Sequence, residues 1–140
     1  MTQQELIQRT EDYAIRIIAM TEALPNNRKS WIIEDQIIRA ACSVGANYRA
    51  ACRAKSTRDF LNKLKIVEEE CDETLYWLSI IIRAGLIPAE KLTLLQKEGG
   101  ELLAIFVKSI GTLRAKINAP SLKFTINPII SITSITSIYD

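Results

Sequence analysis

FLNKLKIVEEECDETLYWLSIII, residues 60–82, has the spacing of a single amphipathic helix. Phe60, Leu64, Val67, Cys71, Leu75, Leu78 and Ile82 recur at intervals of four and three, so they form one stripe down an α-helix. Nothing alternates with the period of two that a half-buried strand requires. Ser56 and Asp59 stand where a capping box would open this helix, and Gly85 followed by Pro88 would close it. A second ladder precedes it: Ile33, Ile37, Ala41, Val44, Tyr48 and Ala51, with Ser30 as the expected N-cap. Before that, Thr2 and Glu5 form a capping-box pair ahead of Leu6, Ile7, Ala14, Ile17 and Ile18, and Pro25-Asn26-Asn27 stops the helix. After Pro88, Leu92, Leu95, Leu102, Phe106, Ile110 and Leu113 mark a fourth helix, with Gly99-Gly100 as an internal weak point.

The spacing predicts helices over 2–24, 30–55, 57–84 and 89–116. Four helices of similar length with short connections predict an all-α, antiparallel, up-down-up-down four-helix bundle over residues 1–118. Ile37, Val44, Leu64, Val67, Leu78 and Phe106 are its expected core. Residues 119–140 differ in character. Ala119-Pro120 ends the last helix, and the remaining residues are rich in Ile, Ser and Thr, including Ser131-Ile132-Thr133 and Ser134-Ile135-Thr136. This is an extended, β-prone tail, read either as a disordered appendage or as a segment that docks on a protein partner.

A chain of 140 residues with 48% hydrophobic residues has material for one core, and 18 basic against 16 acidic residues exclude a polycation. It contains no histidine, which removes the usual general base, the Ser–His and Cys–His pairs and most zinc sites. The sequence therefore carries no catalytic, cofactor or metal constellation, and the expectation is a protein that is not an enzyme. Cys42, Cys52 and Cys71 are odd in number and widely spaced, as expected of free thiols in a reducing cytoplasm. No membrane-spanning segment is expected, because the longest uncharged stretch contains Pro128 and falls short of the roughly 20 apolar residues a span needs.

Three clusters carry the functional reading. Arg39, Arg49, Arg53, Lys55, Arg58, Lys63 and Lys65 face only Asp59 across the junction of the second and third helices. This is either a solvated helix end or a phosphate-binding surface, with Arg53, Lys55, Arg58 and Lys63 as the expected nucleic-acid contacts, RNA before DNA. The acidic run Glu68, Glu69, Glu70, Asp72 and Glu73 is split by helical geometry over different faces. Glu70 and Glu73 are the expected partners of Arg39 or Arg49 across the bundle, in a structural polar network that Gln36 and Asn47 would complete. Trp31 and Trp77 lie off the ladders and are the expected oligomer contacts; each reads equally as a ring covering a helix end. Small residues crowd the second helix (Ala40, Ala41, Ser43, Gly45, Ala46, Ala50), as core packing or as a subunit contact.

Two blocks are more specific. Gln36 to Arg49 (QIIRAACSVGANYR) and Ser56 to Leu64 (STRDFLNKL), the latter succeeded by Glu70 to Leu78 (ECDETLYWL), resemble the bacterial four-helix-bundle family encoded in intervening sequences of 23S ribosomal RNA genes. The resemblance covers about residues 10–115. It implies a four-helix bundle assembled as a barrel-shaped homopentamer, and a distant relation to accessory proteins of diversity-generating retroelements, which bind a reverse transcriptase and nucleic acid. Many members carry Glu where this chain has Ala50. The expectation is thus a homo-oligomeric adaptor for RNA, pentameric by resemblance; a protein-only scaffold is the alternative.

Overall fold

The computed structural model describes residues 1–119, and the expected tail from Pro120 onward lies outside the described residues. Four helices run in order: α1 (Gln3–Thr21), α2 (Arg28–Ala51), α3 (Thr57–Arg83) and α4 (Ala89–Ile117). Each neighbour in sequence packs against the next, and α4 closes back on α1, giving the expected antiparallel bundle. The hairpin between α2 and α3 therefore shares one end of the molecule with the start of α1 and the end of α4. The other two turns share the opposite end.

The local chemistry explains where each helix begins and stops. Thr2 caps α1 in a full capping box: the Glu5 amide donates to Thr2 Oγ1 at 3.1 Å, and the Thr2 amide donates to Glu5 Oε2 at 2.6 Å. That backbone donor holds the Glu5 carboxyl below the ordinary glutamate range. The α2 cap departs from expectation. Asn27, not Ser30, occupies the N-cap and accepts from the Ser30 amide at 3.0 Å, so the helix starts two residues early. It also stops earlier, at Ala51. Ser56 caps α3 through the Asp59 amide, while Asp59 reaches back one residue further than in a regular box and accepts from the Lys55 amide at 3.2 Å. Gly85, at φ 70°, ends α3 in a Schellman motif: Leu86 N donates to Ile81 O and Gly85 N to Ile82 O.

Ile37, Val44, Leu64, Val67, Leu78 and Phe106 are all buried, as are the six ladder residues of α4. The middle of the bundle is set by Gly99, which is a packing necessity rather than a weak point. A Cβ there would lie 2.5 Å from Tyr13 Oη and 2.8 Å from Leu75 Cδ2. The bare backbone lets Tyr13 of α1, wholly buried, lie against α4. Cys71 Sγ donates to Gly99 O at 3.5 Å, and burial pushes that thiol up to about 12. Tyr13 Oη has no hydrogen-bond partner among the described residues, and burial raises its ionisation as well. Among the small residues of α2, Ala40, Ala41, Gly45 and Ala51 are buried and serve packing, whereas Ala46 is exposed.

Candidate nucleic-acid interface

Antiparallel topology, rather than any local motif, assembles the cations. The α2–α3 hairpin brings Arg53, Lys55, Arg58 and Lys63 to one end of the bundle, and the last turn of α4 adds Arg114 and Lys116. The end is formed by capping residues and short connections, so its side chains project from a rigid scaffold. Arg53, Lys55 and Arg58 form no side-chain hydrogen bond or ion pair among the described residues, and Lys55 and Arg53 stand at the tip of the hairpin. Lys63 differs. Its Nζ donates to Asp59 Oδ1 at 2.6 Å, one helical turn away, and this pair holds the Asp59 carboxyl below its usual range. Asp59 thus offsets one cation while also serving as a cap.

Lys65 and Arg114 belong to this surface although neither is among the contacts expected from sequence. Both line a small pocket between α3 and α4 with Arg58, Leu61, Asn62, Ile117 and Asn118. A signal for each exists: Lys65 closes the basic run around the hairpin, and basic residues in the last turn of α4 belong beside that hairpin once the up-down-up-down topology is known.

The expected polar network is smaller than its six proposed members. Arg39 of α2 meets both carboxylates of α3: Nη1 donates to Glu70 Oε2 at 3.2 Å, and Nη2 donates to Glu73 Oε1. Arg39 holds the Glu73 carboxyl below the ordinary range, and Trp77 Nε1 adds a donor at 3.3 Å. The Arg39 side chain is 46% exposed, so the cluster is a clamp at the bundle surface. Arg49 turns instead to Glu11 of α1 at 3.8 Å. Asn47 donates to Ser43 O within its own helix, and Gln36 makes no side-chain hydrogen bond among the described residues. A second clamp lies outside the expected set. Arg9 of α1 donates from Nε to Glu98 Oε2 at 2.9 Å and from Nη2 to Glu101 Oε2 at 2.6 Å, joining α1 to α4.

Trp31 is 54% exposed and donates to Asn26 Oδ1 at 3.0 Å; Trp77 is half-buried against Tyr76, edge to face at 5.1 Å. Large apolar side chains also stand exposed at Ile15, Ile18, Ile32 and Leu94. Ile15 and Ile18 rim a groove between α1 and α2 that is floored by Ala14, Gly45 and Ala46. Among the described residues, no group of three or more Cys, Asp or Glu is disposed to hold a metal ion, and no helix is long and apolar enough to cross a membrane.

Comparison with known proteins agrees with this architecture. The model of the 23S rRNA-intervening sequence protein family matches residues 2–108. No curated protein matches the chain. Among solved structures, the fold is similar to a Bacteroides thetaiotaomicron protein of unknown function from the S23 ribosomal protein family. The two share 33% identity and superpose with a TM-score of 0.70, covering 75% of this chain and 97% of that one.

Proposed function

The chain belongs to the 23S rRNA-intervening sequence protein family, and we propose that it is a non-enzymatic, homo-oligomeric adaptor that binds RNA through the cationic end of its bundle. The observation that carries this reading is the set of cations Arg53, Lys55 and Arg58 around the α2–α3 hairpin, whose side chains form no hydrogen bond or ion pair among the described residues. Their side chains cap no helix and join no two helices, and only Lys55 lies close enough to Asp59 to help hold that carboxyl in its charged form. The family's tie to ribosomal RNA supports RNA as the partner class. The apolar side chains left exposed at Ile15, Trp31, Ile32 and Leu94 support self-association, and a pentamer is the form the family resemblance favours. A ring would repeat the cationic end on one face, so weak single sites add up to measurable avidity.

Such binding reads backbone charge and not bases, because among the described residues the surface offers cations without exposed aromatic platforms beside them. Three phosphate contacts on single-stranded RNA would lower affinity roughly 20-fold between about 50 and 200 mM salt. The test is fluorescence anisotropy with labelled single-stranded RNA over a salt series, for wild type and for Arg53→Glu with Arg58→Glu, alongside light scattering. Steep salt dependence lost in the double variant, at unchanged oligomer size, is the expected result. RNA that fails to bind wild type at low salt would leave the protein-only scaffold, acting through the exposed apolar residues.

A further inference from the structure

The pocket between the start of α3 and the end of α4 is more specific than the open cationic surface around it. Its volume is about 170 Å³. Its polar lining consists of Arg58, Asn62, Lys65, Arg114 and Asn118, and its walls include Leu61 and Ile117. None of those five polar side chains makes a hydrogen bond or ion pair among the described residues. No carboxylate lines it. Elsewhere on the bundle, three arginines that face a second helix have acidic partners: Arg9 has Glu98 and Glu101, Arg39 has Glu70 and Glu73, and Arg49 has Glu11. Arg114 faces α3 across this pocket with further cations instead.

We infer that this pocket holds a phosphate monoester dianion, supplied by the terminal phosphate of an RNA strand. Three cations suit the charge of about −1.5 to −2 that a monoester carries near pH 7, rather than the single charge of a backbone diester. The guanidiniums of Arg58 and Arg114 can grip phosphate oxygens in pairs, Lys65 adds a point charge, and the two asparagine amides are uncharged donors. A recess of this size takes a chain terminus, whereas a strand running past it presents its internal phosphates to the open hairpin. The pocket's α4 side, residues 114–118, lies beyond the span matched by the family model. The phosphate chemistry stands on the pocket itself; the RNA terminus as its source rests on the adaptor reading above.

Two measurements on the full chain test this. In the first, thermal melts compare about 20 mM sodium phosphate with sodium chloride at equal ionic strength, for wild type, Arg114→Gln and, as a control at the opposite end, Arg28→Gln. Phosphate should raise the melting temperature of wild type and Arg28→Gln by on the order of 3–5 °C, and should leave Arg114→Gln unmoved. In the second, one RNA sequence is compared with a 5′-phosphate and a 5′-hydroxyl. The phosphorylated strand should bind about fivefold tighter to wild type, and the preference should vanish in Arg114→Gln. No phosphate-specific shift in wild type, or an equal shift in Arg114→Gln, overturns the site. A phosphate shift without strand preference overturns the RNA terminus and leaves free phosphate as the occupant. Binding of the 5′-hydroxyl strand at low salt judges the adaptor reading separately, since that strand has no terminal monoester for the pocket to hold and Arg53 and Lys55 lie outside it.

Discussion

The two ends of the bundle are built by the same means and carry different charge. At the end holding the α1–α2 and α3–α4 turns, Arg28, Lys29, Arg83 and Lys91 stand beside Glu22, Glu34, Asp35 and Glu90. At the hairpin end, Arg53, Lys55, Arg58, Lys63, Lys65, Arg114 and Lys116 outnumber the acids among the described residues: Glu5 and Asp59 serve in capping, and Glu11 is taken by Arg49. Helix termination needs an N-cap, a reversing residue and apolar cover, and the balanced end supplies all of these without excess charge. The imbalance at the other end is therefore not a requirement of the fold. The molecule is held together between the ends, where Tyr13, Gly99 and Cys71 interlock.

If that division is right, stability and binding should separate under mutation. The greatest loss belongs to the interior. Leu64→Asp places an unpaired charge at a side chain only 1% exposed, which costs several kcal/mol against a total of about 5–15. Both ends should be lost together, seen as the disappearance of a cooperative melt by circular dichroism. Next comes the cationic end: Arg53→Glu with Arg58→Glu should weaken RNA binding by roughly 100-fold or more while shifting stability by less than about 0.5 kcal/mol. The matching reversal of Arg28 and Lys29 at the balanced end should change RNA affinity by less than about twofold, and equal losses at both ends would erase the distinction.

Substitutions in the middle of the bundle should act more gently. Gly99→Ala gains helix propensity of about 1 kcal/mol but forces Tyr13 and Leu75 aside, and overpacking of that kind costs about 1–3 kcal/mol. A net loss is expected, read as a melting temperature lowered by a few degrees. Tyr13→Phe removes the hydroxyl that crowds residue 99 and has no partner, so it should be nearly neutral alone and should recover part of the Gly99→Ala loss. A double variant worse than the sum of its parts would contradict that geometry.

The last and weakest effect is electrostatic. Glu73 is held below its unfolded value by Arg39, so its contribution is present above the unfolded value and disappears as pH falls through the folded one. Because the pair is partly exposed, at most about 1 kcal/mol is at stake, lost in the acid range below about pH 4–5. Arg39→Ala should lower stability above about pH 5 by up to this amount and leave the more acid range nearly unaltered, which flattens the acid limb in stability measurements.

Periodicity alone makes α3 legible, since its apolar stripe is unbroken, and α4 resumes the same period on either side of Gly99-Gly100; Gly85 and Pro88 mark the boundary between them. The α2 start is harder, because Asn27 and Ser30 are both good caps and only the geometry of the turn selects between them. Gly99 reads as a defect because helix propensity is local, while its use depends on Tyr13 arriving from a helix far away in sequence. The hairpin cations are visible as a local run. Arg114 is not, because charge counted along the chain does not register two helices meeting at one end. The pairing of Arg39 with Glu70 and Glu73 comes from their types and helical positions, whereas the choice of Glu11 by Arg49 depends on a rotation of α1 that no pattern specifies.

The clamp between Arg9 and Glu98 bears on the order of events in folding. Its partners are 89 positions apart, whereas Arg39 reaches Glu70 over 31. Hairpins between consecutive helices close short loops and can form early; the α1–α4 seam must await the rest of the chain, since loop-closure entropy rises with separation. The same seam then becomes the natural line of opening in the native protein. Amide hydrogens of α1 should exchange through a local detachment that spares α2 and α3, and the chain's first helix is the one it can release while the remainder stays folded.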